Sequence, residues 1–234
     1  MMRTIRNRAN RAAAATALAL GLAAAMAAAA PALANGGGLT YEVTITNATY
    51  AQRFTPLLLV THEPSLRLFD VGAPASPGLA TLAEEGNVGP LREVLDAEPR
   101  VNVTVAGAGL TDPGATTTLT IRAVPGRHRL SLAAMLIPTN DAFVALDSVE
   151  LPYGGSVTYV ARAYDAGSES NNELCAFIPG PDFPECGGPG GGGKAGNGEG
   201  FVHVHRGIHG VGDLHPADRA WSNPVAVVRI RRVN

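Results

Sequence analysis

The sequence is poor in cysteine, in net positive charge and, past its amino terminus, in long apolar runs, and each shortage excludes something. Cys175 and Cys186 are the only cysteines in 234 residues, a length that can bury a core without help from crosslinks. The formal charge is −2, which suits neither nucleic acid nor anionic lipid as a partner. No run beyond the first thirty or so residues is long and apolar enough to span a bilayer. Catalytic signatures are also missing: there is no Gly-x-Ser-x-Gly elbow and no helical His-Glu-x-x-His. Nor is there a phosphate-binding glycine loop, because Lys194 after Gly190-Gly-Gly-Gly193 is not followed by Ser or Thr. A non-catalytic protein is expected.

The amino terminus has the make-up of a secretory signal peptide over residues 1–34. Arg3, Arg6, Arg8 and Arg11 come without an acid, an alanine-rich apolar run follows, and Ala32-Leu33-Ala34 is a small-residue cleavage pattern. Twin arginines and a lipid-accepting cysteine are lacking, so the general secretory route is the simpler one, and the Ala/Gly/Arg-rich leader looks bacterial. Its removal takes away four arginines and no acid, lowering the formal charge from −2 to −6. A secreted, periplasmic or cell-surface protein is expected, with no membrane span after cleavage. In such an oxidising compartment Cys175 and Cys186 are expected to form a local disulfide closing a Pro-rich loop.

From residue 35 onward the sequence predicts one all-β domain. Tyr41, Val43 and Ile45 alternate with Glu42, Thr44 and Thr46, and Val101 to Val105 and Thr116 to Ala123 repeat the pattern. Arg129 to Ile137 is continuously apolar and reads as a central strand. Asp147 to Leu151 and Ser156 to Ala163 flank Pro152-Tyr-Gly-Gly155 as a hairpin, and Val225 to Val233 closes the domain. Helix is expected only between Leu66 and Leu95, as short pieces starting at Pro77 and Pro90 and lying over a sheet edge or end. Short strands at regular spacing with helix confined to an insertion indicate a two-sheet antiparallel sandwich. Residues 187–200 are a low-complexity glycine-rich stretch that reads as a flexible loop.

Two acidic stretches stand out: Met135-Leu-Ile-Pro-Thr-Asn-Asp141-Ala-Phe143-Val-Ala-Leu-Asp147-Ser-Val-Glu-Leu151, and Tyr164-Asp165-Ala-Gly-Ser-Glu169-Ser. Side by side they would offer a hard cation several oxygens; read singly they are solvated turns. Together they resemble the spondin domain of F-spondin and mindin. There a Ser/Pro-rich turn leads into Asp, an aromatic, Phe-Val-Gly and Asp-Ser-Leu, and an Asp-Ala-Gly-Thr-Asp-Ser loop follows. Phe54-Thr-Pro, His62 and the closing Asn223-Pro-Val-Ala-Val-Val-Arg-Ile extend the likeness more loosely. This chain departs from the animal pattern at Ala142, where that pattern has Trp, and at Ala145, where it has Gly.

The resemblance implies a C2-like sandwich and a non-catalytic adhesion or recognition function toward an extracellular or cell-surface protein or glycan. It also implies calcium at the matching positions, with Asp141 and Asp165 as the leading ligands, Asp147 and Glu169 as further ones and main-chain carbonyls completing the shell.

One feature falls outside the resemblance. His203, His205, His209 and His215 are four of the six histidines. On a strand His203 and His205 point to one face, where with His209 they would form a zinc or copper site of a metal-binding protein or metalloenzyme. The alternative is a set of surface or structural histidines paired with carbonyls and carboxylates.

Overall fold

The structure, a computed structural model, describes residues 37–234, so the leader expected over residues 1–34 lies outside the described residues. The strands are β1 (Leu39–Asn47), β2 (Arg53–Phe54), β3 (Leu58–His62), β4 (Val101–Ala106), β5 (Thr116–Ala123), β6 (Arg129–Ile137), β7 (Ala142–Glu150), β8 (Ser156–Asp165), β9 (Asp182–Phe183), β10 (Gly188–Pro189), β11 (His203–Val204) and β12 (Ala226–Arg232). The helices are α1 (Pro77–Glu85), α2 (Gly89–Asp96) and α3 (Pro216–Arg219), the last a single turn that the sequence does not announce.

Strand order is β4-β3-β6-β7-β8-β12-β1-β5, with β2 on β6 and β11 on β8, and every pairing is antiparallel. The all-β sandwich is therefore built from one continuous path of strands that folds over on itself. The fold turns at β8, whose first half pairs with β12 (Ser156↔Arg231 to Ala161↔Ala226) and whose second half pairs with β7 (Arg162↔Ala145 to Asp165↔Ala142). The two end strands come together as well: Asn102 Nδ2 on β4 and Thr61 Oγ1 on β3 donate to the Arg122 carbonyl of β5 at 2.9 and 2.7 Å. That contact leaves little open edge.

Alternation decides which side chains fill the interior. Tyr41, Val43 and Ile45 of β1 are buried with Ile121, Leu130, Leu132, Val144, Val228 and Ile230, while Glu42 and Thr44 face out. β6 lies between β3 and β7 and is covered on both faces, which is why its sequence runs apolar without a break. Leu130, Leu132 and Leu136 enter the inter-sheet core, Ala133 packs under the helices, and Met135 and Ile137 meet Ile178 and Phe183 of the cysteine loop.

α1 begins at Pro77 behind the N-cap Ser76 and ends at Gly86, whose φ of 66° gives the left-handed cap that glycine takes without strain. α1 lies on the outer face of β6 and β7, where Ala133 and Phe143 make that face apolar and in need of cover, and α2 lies on the end strand β4, with Arg92 and Asp96 both bonded to Thr104. Leu79 and Leu82 of α1 are wholly buried, each contributing about 1.5–3 kcal/mol, enough to hold a two-turn helix that would not persist alone. Cys175 and Cys186 form the expected disulfide, with Cα atoms 5.6 Å apart.

Candidate metal centre at the sandwich rim

Asp141 is the last residue before β7 and Asp165 the last of β8. Because Ala142 pairs with Asp165, the two acidic stretches meet at one rim of the sandwich. The main chain locks them together, with Ala166 N donating to the Asp141 carbonyl at 3.1 Å.

Asp141 is fully buried. Its Oδ2 accepts from Ser168 N (2.8 Å), Glu169 N (3.0 Å) and Ser168 Oγ (3.2 Å), while Oδ1 is buried without any hydrogen-bond partner. Burial, and then the neighbouring Asp165 charge, push this carboxyl up to about 7. Asp165 is also buried; its Oδ1 accepts from Gly167 N at 2.7 Å and its Oδ2 from Asn171 Nδ2 at 2.6 Å. Loss of solvent raises its pKa, and those two hydrogen bonds pull it partly back. Glu169 presents a similar imbalance: Oε1 accepts from Ala195 N at 3.0 Å, and Oε2 is buried and unpaired. Burial pushes it up to about 7 too, but the charges it feels are Glu84 and Lys194 on the helix side.

Asp147 is not brought to this rim. It sits six residues from Asp141, roughly 20 Å along an extended strand, and its oxygens are already engaged. Oδ1 accepts from Leu68 N (2.8 Å) and Ser131 Oγ (3.2 Å), and Oδ2 pairs with Arg67 at 3.2 Å. What reads in the sequence as one acidic loop from Asp141 to Asp147 is mostly strand, and the small buried residues Ala142, Val144 and Ala145 mask the alternation.

The histidines separate into different tasks. His203 and His205 flank β8 and both approach Asp165, His203 Nε2 at 3.6 Å from Oδ1 and His205 Nε2 at 3.8 Å from Oδ2. His205, however, has both ring nitrogens in use. Nδ1 accepts from Gly207 N at 2.9 Å, which leaves the proton on Nε2 to donate to Asn171 Oδ1 at 3.1 Å. Burial, with His203, His209 and Arg206 nearby, pushes it down to about 3, so it is a neutral core histidine stacked 5.0 Å from Trp221. His209 is exposed, and its backbone N–H donates to Glu173 at 2.6 Å. A three-histidine centre of His203, His205 and His209 is thus not what the fold assembles.

A different trio is. Asp165, Glu199 and His203 bring one ligand atom each to within 4.8 Å of one another, and no other such group is found among the described residues. Glu199 carries no signal in the sequence because it lies in a glycine-rich stretch with the composition of a spacer. Equally silent in the sequence is Glu173, a buried carboxylate that accepts the backbone N–H groups of His209, Gly210 and Val211 at 2.6 to 3.0 Å and ties the histidine segment to the rim.

The model of the Spondin_N family matches residues 45–174, more than half of the sequence. The chain belongs to the Spondin_N family. Spondin_N domains are recognition and adhesion domains of the extracellular type, and the Cys175–Cys186 disulfide agrees with an exported protein. No helix among the described residues is long and apolar enough to cross a membrane. A search of curated proteins returned no match. The Spondin_N match includes Asp141, Asp165 and Glu169 and stops short of Glu199 and His203.

Proposed function

We propose that this Spondin_N protein is a secreted, non-catalytic recognition domain whose rim loops are set by a calcium ion held at Asp141 and Asp165. The observation that carries the reading is Asp141 Oδ1, a buried oxygen with no partner beside a second buried carboxylate. Two close carboxylates removed from water are costly as anions, and a divalent cation removes that cost. Carboxylate oxygens are donors that a hard cation takes, and the unpartnered Asp141 Oδ1 offers calcium one of them. The loops rooted there, residues 138–141 and 166–174, sit on rigid strands, which suits recognition of an extracellular or cell-surface protein or glycan.

Calcium at about 100 times its Kd should stabilise the domain by about 2.7 kcal/mol, raising Tm by roughly 5–10 °C for a domain of this size. Replacing Asp141 and Asp165 together by Ala should abolish that rise. Equal losses of Tm in calcium and in chelator would mean that the two side chains are structural and hold no ion. Capture of cell-surface or glycan ligands with and without chelator tests the recognition half of the reading.

A further inference from the structure

We propose that Asp165, Glu199 and His203 form a second site, one for a divalent transition ion of the zinc class, completed by the connection that follows the family-matched region. The ring of His203 is prearranged for it. Nδ1 lies 3.2 Å from the Val204 carbonyl, which can only accept, so Nδ1 carries a proton, and in the neutral ring the lone pair stands on Nε2. That Nε2 is buried without a hydrogen-bond partner and faces Asp165 Oδ1 at 3.6 Å and Glu199 Oε2 at 3.8 Å. With that ring neutral, three electron-pair donors converge.

The spacing suits a small ion. Ligands each about 2.0–2.1 Å from a tetrahedral zinc stand roughly 3.4 Å apart, so the 3.6 and 3.8 Å separations from His203 Nε2 need only a slight closure, and all three ligand atoms lie within 4.8 Å of one another. One nitrogen with two carboxylates is a borderline donor set that favours a transition ion over calcium, which takes six to eight oxygens.

The surrounding groups hold the trio in place. Asn171 Nδ2 donates to Asp165 Oδ2 at 2.6 Å and to Glu199 Oε1 at 3.3 Å, fixing the oxygen of each carboxylate that points away from the histidine. Below them the two loops interlock: Gly200 N donates to the Gly167 carbonyl at 2.8 Å, and a Cβ on Gly198 would fall 2.3 Å from that same oxygen. Asp165 is closed off from solvent, whereas the Glu199 side chain is 35% exposed, which gives the ion a way in and a fourth position open to water.

The test is a zinc titration of the metal-stripped, purified protein against a competing chromophoric chelator. One equivalent should bind, His203→Ala and Glu199→Gln should each weaken binding by more than about 100-fold, the upper end of what loss of an outer-shell partner costs, and His209→Ala and His215→Ala should leave it unchanged. Cobalt loading should give the intense visible bands of a four-coordinate ion, absent in His203→Ala. Glu199→Gln changes a surface side chain, so the prediction stands even where His203→Ala loses its fold. No zinc bound by the unaltered protein, or equal affinity in the His203 and Glu199 variants, would overturn the site and leave His203 as an ion-pair partner of Asp165. Asp141→Asn separates this site from the calcium reading: it should abolish the calcium-induced rise in Tm and retain zinc.

Discussion

Asp141 has one oxygen satisfied three times over and the other not at all, and that asymmetry gives it a defined pH signature. With its carboxyl pushed up to about 7 in the folded chain against an ordinary value of 3.8, the fold binds a proton that the unfolded chain releases. The resulting cost is absent below about pH 4, grows as pH rises and is complete above about pH 7. In chelator, Asp141→Asn should therefore stabilise the protein by about 1–3 kcal/mol at pH 8, and the gain should shrink toward pH 5, as measured by urea unfolding at both values. In calcium the same substitution should destabilise.

How much of the site was legible also divides by residue. Asp141 and Asp165 stand where an apolar run stops at a turn, and strand pairing then puts such chain reversals at one rim. Asp147 looked equivalent in sequence, but Leu68 N, Ser131 and Arg67 all claim it, and none of these is local to it. Glu199 becomes a ligand candidate only through a tertiary contact, and no local pattern could have revealed it.

Among the elements, the connection over residues 187–200 departs furthest from what composition suggests. Its glycines are required by close packing as much as by turns: a Cβ on Gly190 would fall 1.8 Å from the Ile178 carbonyl and one on Gly191 2.4 Å from that of Ala176. Gly198 is the informative position, since a Cβ there meets Gly167 O and Glu169 N at 2.3 and 2.6 Å, main-chain atoms that cannot step aside. Gly198→Ala should cost about 1–3 kcal/mol and lift Glu199 away from Asp165, lowering zinc affinity, whereas Gly109→Thr, in open space but at φ 75°, should cost stability alone. Calorimetry with zinc titration distinguishes the two. β1, β4, β5 and α1 were legible because period-2 alternation, a leading proline and a terminal glycine are local signals, whereas the first half of β7 was hidden by buried residues on both faces. The covering of the sheet face by α1 was not legible, since it depends on which side of β6 lacks a partner sheet.

For the whole molecule, the disulfide and the corner strand set what is separable from what is not. The Cys175–Cys186 bridge closes a short loop whose Ile178 and Phe183 pack on Met135 and Ile137 at one end of the sandwich. Replacing both cysteines by Ser should cost about 2–3 kcal/mol in thermal or urea unfolding and leave the calcium response intact, because the bridge lies outside the Asp141–Asp165 contact.

β8 admits no such separation. It gives one half of its length to each layer and ends on Asp165. A ligand that tugs on the rim therefore pulls on both halves of the sandwich through a single shared rod. A load applied at Asp165 reaches both layers through the same strand.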